Sequence, residues 1–232
     1  MSFYSGMRTV FGPVMKLIYG IRITGEEKVP KEGKLLICSN HTSMMDVAIV
    51  IASLDRKVRF MAKKEIFKKG FLEKFFTGMG AFPVDRTGVS VGSLKRAADI
   101  VESGEAVSIF PQGTRQKYVD PSETSIKFGA GLIAYRSGCD VLPIFIKTKN
   151  NHVRLFSRTE LIIGDVIPNS DLGFNAGGMR EYEAACDRIF CDICALGGYE
   201  YVPPVRKEVH SRAEDAEAIP KCREESEKES EG

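Results

Sequence analysis

The sequence predicts an α/β protein: a single domain with a central, largely parallel or mixed sheet flanked by helices. Three observations lead there. Short apolar runs, such as "LLICS" at 35–39 and "VLPIFI" at 141–146, read as strands. Longer segments with apolar residues three and four apart alternate with them and read as helices. The chain has 232 residues, 43% of them hydrophobic, which is enough for one sizeable core and demands no second domain.

The elements follow in order. Residues 3–21 read as an amphipathic helix, with Phe3, Met7, Val10, Val14, Ile18 and Ile21 on one stripe and Tyr4, Phe11 and Met15 widening it. Pro13 should kink or restart it. After the turn-rich link "EEKVPKEGK", "LLICS" is a buried strand and "MDVAIVIASL" a helix. "VRFMA" is a strand, and "EIFKKGFLEKFFTGMG" a Phe- and Lys-rich helix broken or bent at Gly70. "AFPVD" is the next strand. Residues 90–103 form a helix with Val91, Leu94, Ala98 and Val101 inward, Ser90 as N-cap and Gly104 as its stop. "AVSIFP" is a strand, "KFGAGLIAYRSG" a helix, and "VLPIFI" and "ELIIGDVI" are strands. Residues 179–196 are the last helix. Beyond Pro204 the chain is charged with little to bury, which predicts a disordered or weakly helical tail.

Composition excludes several classes. The net charge of +2 is too small to argue for nucleic acid. Residues 203–232 carry a net −3 and the remainder a net +5, so the folded part suits an anionic surface or ligand. Six cysteines show no framework spacing and read as reduced thiols in a cytosolic setting. Cys191 and Cys194, with Cys186 nearby, read as one face of the last helix. Zinc would need a fourth ligand, and none lies at finger spacing, so no metal is expected. No apolar run reaches the ~18 residues of a membrane span, and Arg8, Pro13 and Lys16 interrupt any signal-peptide centre.

The chemistry concentrates in "SNHTSMMD", residues 39–46. Ser43 and Asp46 before an apolar run resemble a capping box, with Asp in the place usually held by Glu or Gln. On that reading Asp46 serves only the helix start. The alternative is a catalytic pair. If the helix starts at Ser43, His41 lies outside it, Asp46 falls in its first turn, and the two side chains can meet. In one continuous helix a five-residue step would hold them about 140° apart. An imidazole with a reference pKa of ~6.5 suits a general base, and a carboxylate can hold its tautomer. Strand-to-helix junctions are also where α/β proteins place ligands. The cap and the pair are compatible.

Two further strand ends carry arginines, in "GAFPVDR" (80–86) and "FPQGTR" (110–115). Each is by itself an ordinary surface charge. Together, with glycine letting backbone N–H groups approach an anion and guanidinium forks gripping phosphate, Arg86 and Arg115 suggest an anionic substrate.

At these residues the sequence resembles the glycerolipid acyltransferases, specifically the 1-acylglycerol-3-phosphate acyltransferases. "NHTSMMD" is similar to their N-H-x₄-D block, "GAFPVDR" to the second and "FPQGTR" to the third, usually F-P-E-G-T-R. "VLPIFI", carrying Pro143, resembles the fourth, and "FMAKKE" lies upstream of the second. The resemblance covers roughly residues 1–195, with all four blocks in family order. One departure matters: Gln112 stands where the family has glutamate. It keeps the size and an acceptor oxygen but lacks charge, so no acid–base role is carried onto it.

The resemblance implies acyl transfer from a thioester of acyl carrier protein or coenzyme A to the free hydroxyl of lysophosphatidic acid, with no other cofactor; the alternative within the family is glycerol 3-phosphate or another lysolipid as acceptor. His41 would be the base and Asp46 its orienter. Arg86, Arg115 and Lys63 would hold the phosphate, with Gly113 and Thr114 beside them. Asn40, Phe82, Gln112 and Pro143 would be structural or substrate-site residues. A rival class is a serine hydrolase, because Gly88-Val89-Ser90-Val91-Gly92 matches G-x-S-x-G and His152 and His210 follow it, although Ser90 is also explained as an N-cap. A non-catalytic lipid-binding protein is the third.

A two-chain lipid product implies a membrane surface. Residues 3–21 are the first expectation for docking, with Arg8, Lys16 and Arg22 toward anionic headgroups. Phe71, Leu72, Phe75, Phe76 and Met79 are the second, facing lipid or lining an acyl tunnel; both segments could instead pack on the core. The expected organisation is an interfacial segment 1–24, a catalytic domain 25–200 and a charged tail 201–232. The expected place is the cytoplasmic face of a membrane, monotopic or peripheral.

Overall fold

In the computed structural model of the chain, the structure describes residues 3–68, 70–84 and 91–204, less the side chains at 3, 5, 7, 8, 66, 71 and 72. Their elements run α1 (Phe3–Ile18), β1 (Ile21–Thr24), β2 (Leu35–Ser39), α2 (Met45–Ser53), β3 (Val58–Lys63), α3 (Gly70–Gly78), β4 (Ala81–Val84), α4 (Val91–Glu102), β5 (Ala106–Ile109), α5 (Gly129–Ser137), β6 (Asp140–Thr148), β7 (Thr159–Ile163) and α6 (Met179–Gly197). A five-residue 3₁₀ turn, Lys64–Lys68, precedes α3, so the Phe- and Lys-rich segment is divided just before Gly70. Met1–Val202 form one compact unit. Of the remaining residues only Pro203 and Pro204 are described; the expected tail, with His210 and Cys222, lies outside the described residues.

The strands form one seven-stranded sheet in the order β1-β7-β6-β2-β5-β3-β4. Every neighbouring pair is parallel except β6 and β7, which are antiparallel, so the sheet is mixed and mostly parallel. β2 is buried at all five positions. Leu35 and Ile37 enter a core shared with Ile49 and Val50 of α2 and Met15 of α1. Leu36 and Cys38 enter the opposite core, beneath α4, α5 and α6 with Leu94, Ile133 and Phe190. Covering both faces is what makes the strand a continuous apolar run rather than an alternating one.

The N-terminal helix corrects one sequence expectation. It stops at Ile18, and Ile21–Thr24 turn back as β1, pairing with β7 at the sheet edge. Pro13 lies inside the helix, which continues across it. The apolar stripe also divides. Tyr4 and Met15 are buried and Phe11 packs against the core, whereas Val10, Val14 and Leu17 are exposed. In the second expected docking segment, Met79 is buried, and Phe75 and Phe76 pack on a cluster containing Tyr4 and Phe60. The side chains of Phe3, Met7, Phe71 and Leu72 lie outside the described residues.

Candidate active site

The site forms at the C-terminal ends of the parallel strands, where α/β sheets hold their ligands. β2 ends at Ser39, and the next residue clamps its exit. The buried amide of Asn40 donates from Nδ2 to the Ile146 carbonyl (3.1 Å) and accepts the Ile146 N–H at Oδ1 (2.8 Å). This side chain extends the β2–β6 ladder beyond the last backbone pair, Ser39 with Ile144. The backbone of His41 is then gripped on both sides by the loop after β5. Its N–H donates to Gln112 Oε1 (2.6 Å), and its carbonyl accepts the Gln116 N–H (2.7 Å).

The imidazole and the carboxylate meet: His41 Nδ1 lies 2.9 Å from Asp46 Oδ2. A carboxylate only accepts, so Nδ1 carries a proton, and in the neutral imidazole Nε2 is then the nitrogen with the lone pair. The ring stacks on Phe110, with centroids 3.9 Å apart and planes 12° from parallel. Its orientation is therefore fixed from the side as well as from below. Asp46 is fully buried, and the same Oδ2 accepts the N–H groups of Thr42 (2.6 Å) and Ser43 (2.8 Å). Ser43 Oγ accepts the Met45 N–H (3.2 Å). The pair forms, and of the capping box only the half in which the Asp46 carboxylate accepts the Ser43 N–H: the helix begins at Met45, not at Ser43, and its N-cap, Met44, makes no side-chain cap bond. The backbone donors satisfy the carboxylate's charge and hold it where the imidazole needs it.

Gln112 is buried, and its amide orientation is forced. Only its oxygen can take the His41 N–H, so Nε2 points the other way and donates to Thr124 Oγ1 (2.7 Å). That hydroxyl in turn donates a hydrogen bond to the Pro121 carbonyl (2.7 Å). A polar chain thus runs from His41 through the loop to a 3₁₀ turn at Pro121–Glu123.

A cleft of about 610 Å³ opens over His41. Its walls include Val47, Phe60, Met61, Val84, Leu94 and Ile109, and its cations among the described residues are Lys63, Arg115 and Lys127. Such a cleft accepts a ligand with an apolar body and an anionic group. Buried thiols elsewhere offer no competing chemistry. Burial pushes Cys139 up to about 11 and Cys194 up to about 12, which keeps both protonated near neutral pH. Among the described residues no group of three or more His, Cys, Asp and Glu side chains is placed to hold a metal ion.

Residues 20–147 match the family model described as Acyltransferase, which spans more than half of the chain. The chain belongs to the acyltransferase family. It is 29% identical to the 1-acyl-sn-glycerol-3-phosphate acyltransferase of Bacillus subtilis over 161 residues, 68% of this chain and 79% of that protein. It is 27% identical to the Streptococcus pneumoniae protein of the same name over 179 residues, 73% of this chain and 64% of that one. The fold is similar to that of the 1-acyl-sn-glycerophosphate (LPA) acyltransferase PlsC from Thermotoga maritima. The TM-score is 0.62 at 21% identity, covering 83% of this chain and 79% of that one.

In this acyltransferase the expected site residues fall into two layers. His41, Lys63, Gly113, Thr114 and Arg115 line the cleft. Asn40, Asp46, Phe82, Gln112 and Pro143 are buried and do not. Pro143 sits inside β6, its carbonyl accepting the Gly164 N–H (2.9 Å). Arg86 and the Ser90 of the G-x-S-x-G match lie outside the described residues. His152 instead sets its ring at an angle to that of Tyr118, 4.8 Å between centroids. Sequence reasoning missed three participants. Phe110 opens the third block, and its aromatic ring was a visible signal. Thr124 and Lys127 follow the end of that block by nine and twelve residues, and only the fold of the loop brings them back.

Proposed function

We propose that this acyltransferase moves a fatty acyl group from a thioester of acyl carrier protein or coenzyme A to the sn-2 hydroxyl of 1-acylglycerol 3-phosphate. The observation that carries the reading is the His41–Asp46 pair, its free Nε2 facing a cleft that combines apolar walls with three cations. The names of the relatives support the acceptor. Nε2 removes the proton of the sn-2 hydroxyl, and the oxygen attacks the thioester carbonyl. The tetrahedral intermediate collapses, the C–S bond breaks, and the leaving thiolate takes the proton back from the imidazolium. Asp46 holds the tautomer and balances the transient charge. Arg115, Lys63 and Lys127 take the phosphate, together with Arg86. The product is a two-chain lipid, so the protein works at the cytoplasmic face of a membrane, with α1 as one contact. No described helix is long and apolar enough to cross it.

An acceptor screen with one labelled thioester tests this. The label should enter phosphatidic acid in preference to products from glycerol 3-phosphate or a lysolipid without a terminal phosphate. Arg115→Ala should raise KM for the phosphorylated acceptor about tenfold or more, since charge-assisted bonds contribute roughly 1.5–3 kcal/mol. Equal use of phosphorylated and unphosphorylated acceptors would remove the assignment.

A further inference from the structure

A second cleft lies on the same sheet edge as His41. β6 runs parallel to β2, so its C-terminal end at Thr148 points the same way as the exit of β2. β7 is antiparallel to β6 and β1 parallel to β7, so both start at that edge. The loop between β6 and β7 is fastened there. The Phe156 N–H donates to the Ile18 carbonyl (2.8 Å), and the Thr159 N–H to the Tyr19 carbonyl (3.1 Å). On the other side, the Tyr118 N–H donates to the Asn151 carbonyl (3.2 Å), two residues beyond the Gln116 that binds His41.

Phe156 is unexplained by folding. It is 86% exposed, so no core selects its ring. Its φ of 56° is a conformation that glycine tolerates and a bulky L residue does not favour. Leu155 beside it is 63% exposed and Leu17 of α1 is 82% exposed. Between Leu17 and Phe156 lies an open, shallow cleft of about 530 Å³ whose described lining also includes Lys16, Arg22 and Arg158 and no acidic residue. None of these cations forms an ion pair with a described acid. The adjacent acid in register is Glu160, between Arg22 and Lys147 on neighbouring strands. Exposed large apolar side chains ringed by unpaired cations match an anionic bilayer surface.

We infer that this cleft seats the anionic headgroup of a bilayer phospholipid while Leu155, Phe156 and Leu17 enter the acyl region. The inference rests on the proposed membrane reading and adds a second contact to α1. Two contacts, at the end of α1 and in the β6–β7 loop, fix the orientation of the protein, with the sheet edge carrying His41 toward the lipid.

Flotation with phosphatidylglycerol-containing and with pure phosphatidylcholine vesicles tests it on the full chain. Phe156→Gly should keep or raise Tm and preserve turnover of a short-chain, water-soluble acceptor, while weakening vesicle binding about tenfold or more. Arg22→Gln with Arg158→Gln should lose about fivefold per cation on anionic vesicles and little on neutral ones. Millimolar inorganic phosphate should not detach the parent. Parent-like flotation of both variants, with detachment of a Val10 and Val14 to Ser double variant, would overturn the cleft and leave α1 docking standing. Detachment of the parent by phosphate, or a lowered Tm in Phe156→Gly, would also overturn it. A parent that binds no vesicle would overturn the membrane reading itself.

Discussion

Oδ2 of Asp46 accepts two backbone N–H groups and the imidazole of His41, and this sharing sets what its substitutions do. Asp46→Asn can place its carbonyl oxygen at the same point and keep all three bonds. It loses the charge that balances an imidazolium. The expected outcome is a folded protein with near-parent Tm and kcat lowered ~10²-fold or more. Asp46→Ala orphans buried donors as well, and should cost about 1–3 kcal/mol of stability in addition. Equal Tm losses for the two would mean that the carboxylate is only a cap. Gln112 is a second case. Gln112→Glu keeps an acceptor for the His41 N–H but removes the donor to Thr124, so kcat should change by less than ~10³-fold, or about 4 kcal/mol of barrier. Gln112→Leu leaves that N–H unpaired and should lower both stability, by about 1–3 kcal/mol, and kcat. His41 and Asp46 were legible because both residue types and their spacing carry chemistry. The role of Gln112 was not, because it acts through the His41 backbone, 71 residues away in sequence, and no local pattern encodes that bond.

At the scale of elements, the buried strands and most helices could be read from apolar runs and periodicity. β1 could not: Ile18 and Ile21 continue the helical spacing, and four edge residues alternating Ile-Arg-Ile-Thr give too short a signal. The division of α1 into a core face and an exposed stripe was equally hidden, since Phe11 and Val10 look alike in an apolar count. Packing between helices adds a constraint the sequence shows only as a glycine. A Cβ on Gly131 of α5 would lie 2.1 Å from the Tyr182 carbonyl oxygen of α6. The Gly131 N–H also donates to Cys186 Sγ (3.0 Å). Gly131→Ala should therefore destabilise by about 3 kcal/mol, the upper end of ordinary overpacking, and lower Tm by several degrees. An unchanged melting curve would show that α5 and α6 do not approach this closely.

For the whole molecule, the sheet topology gathers the parts. The exits of β2, β3 and β5 bring His41, Lys63 and Arg115 to one cleft from positions 22 and 52 residues apart. Helices on both faces leave that strand edge open to substrate. The α/β class followed from alternation alone. The sheet order did not, because parallel neighbours such as β2 and β6 are joined by no local turn. The central claim is that His41 transfers an acyl group to a hydroxyl supplied by the substrate. The direct measurement is thiol release from a labelled acyl thioester, with and without lysophosphatidic acid, for the parent and for folded His41→Ala. Release should depend on the acceptor, deposit the label in phosphatidic acid, and fall ~10²–10⁴-fold in His41→Ala. Release at the same rate without acceptor, or parent-like turnover in folded His41→Ala, would contradict the account.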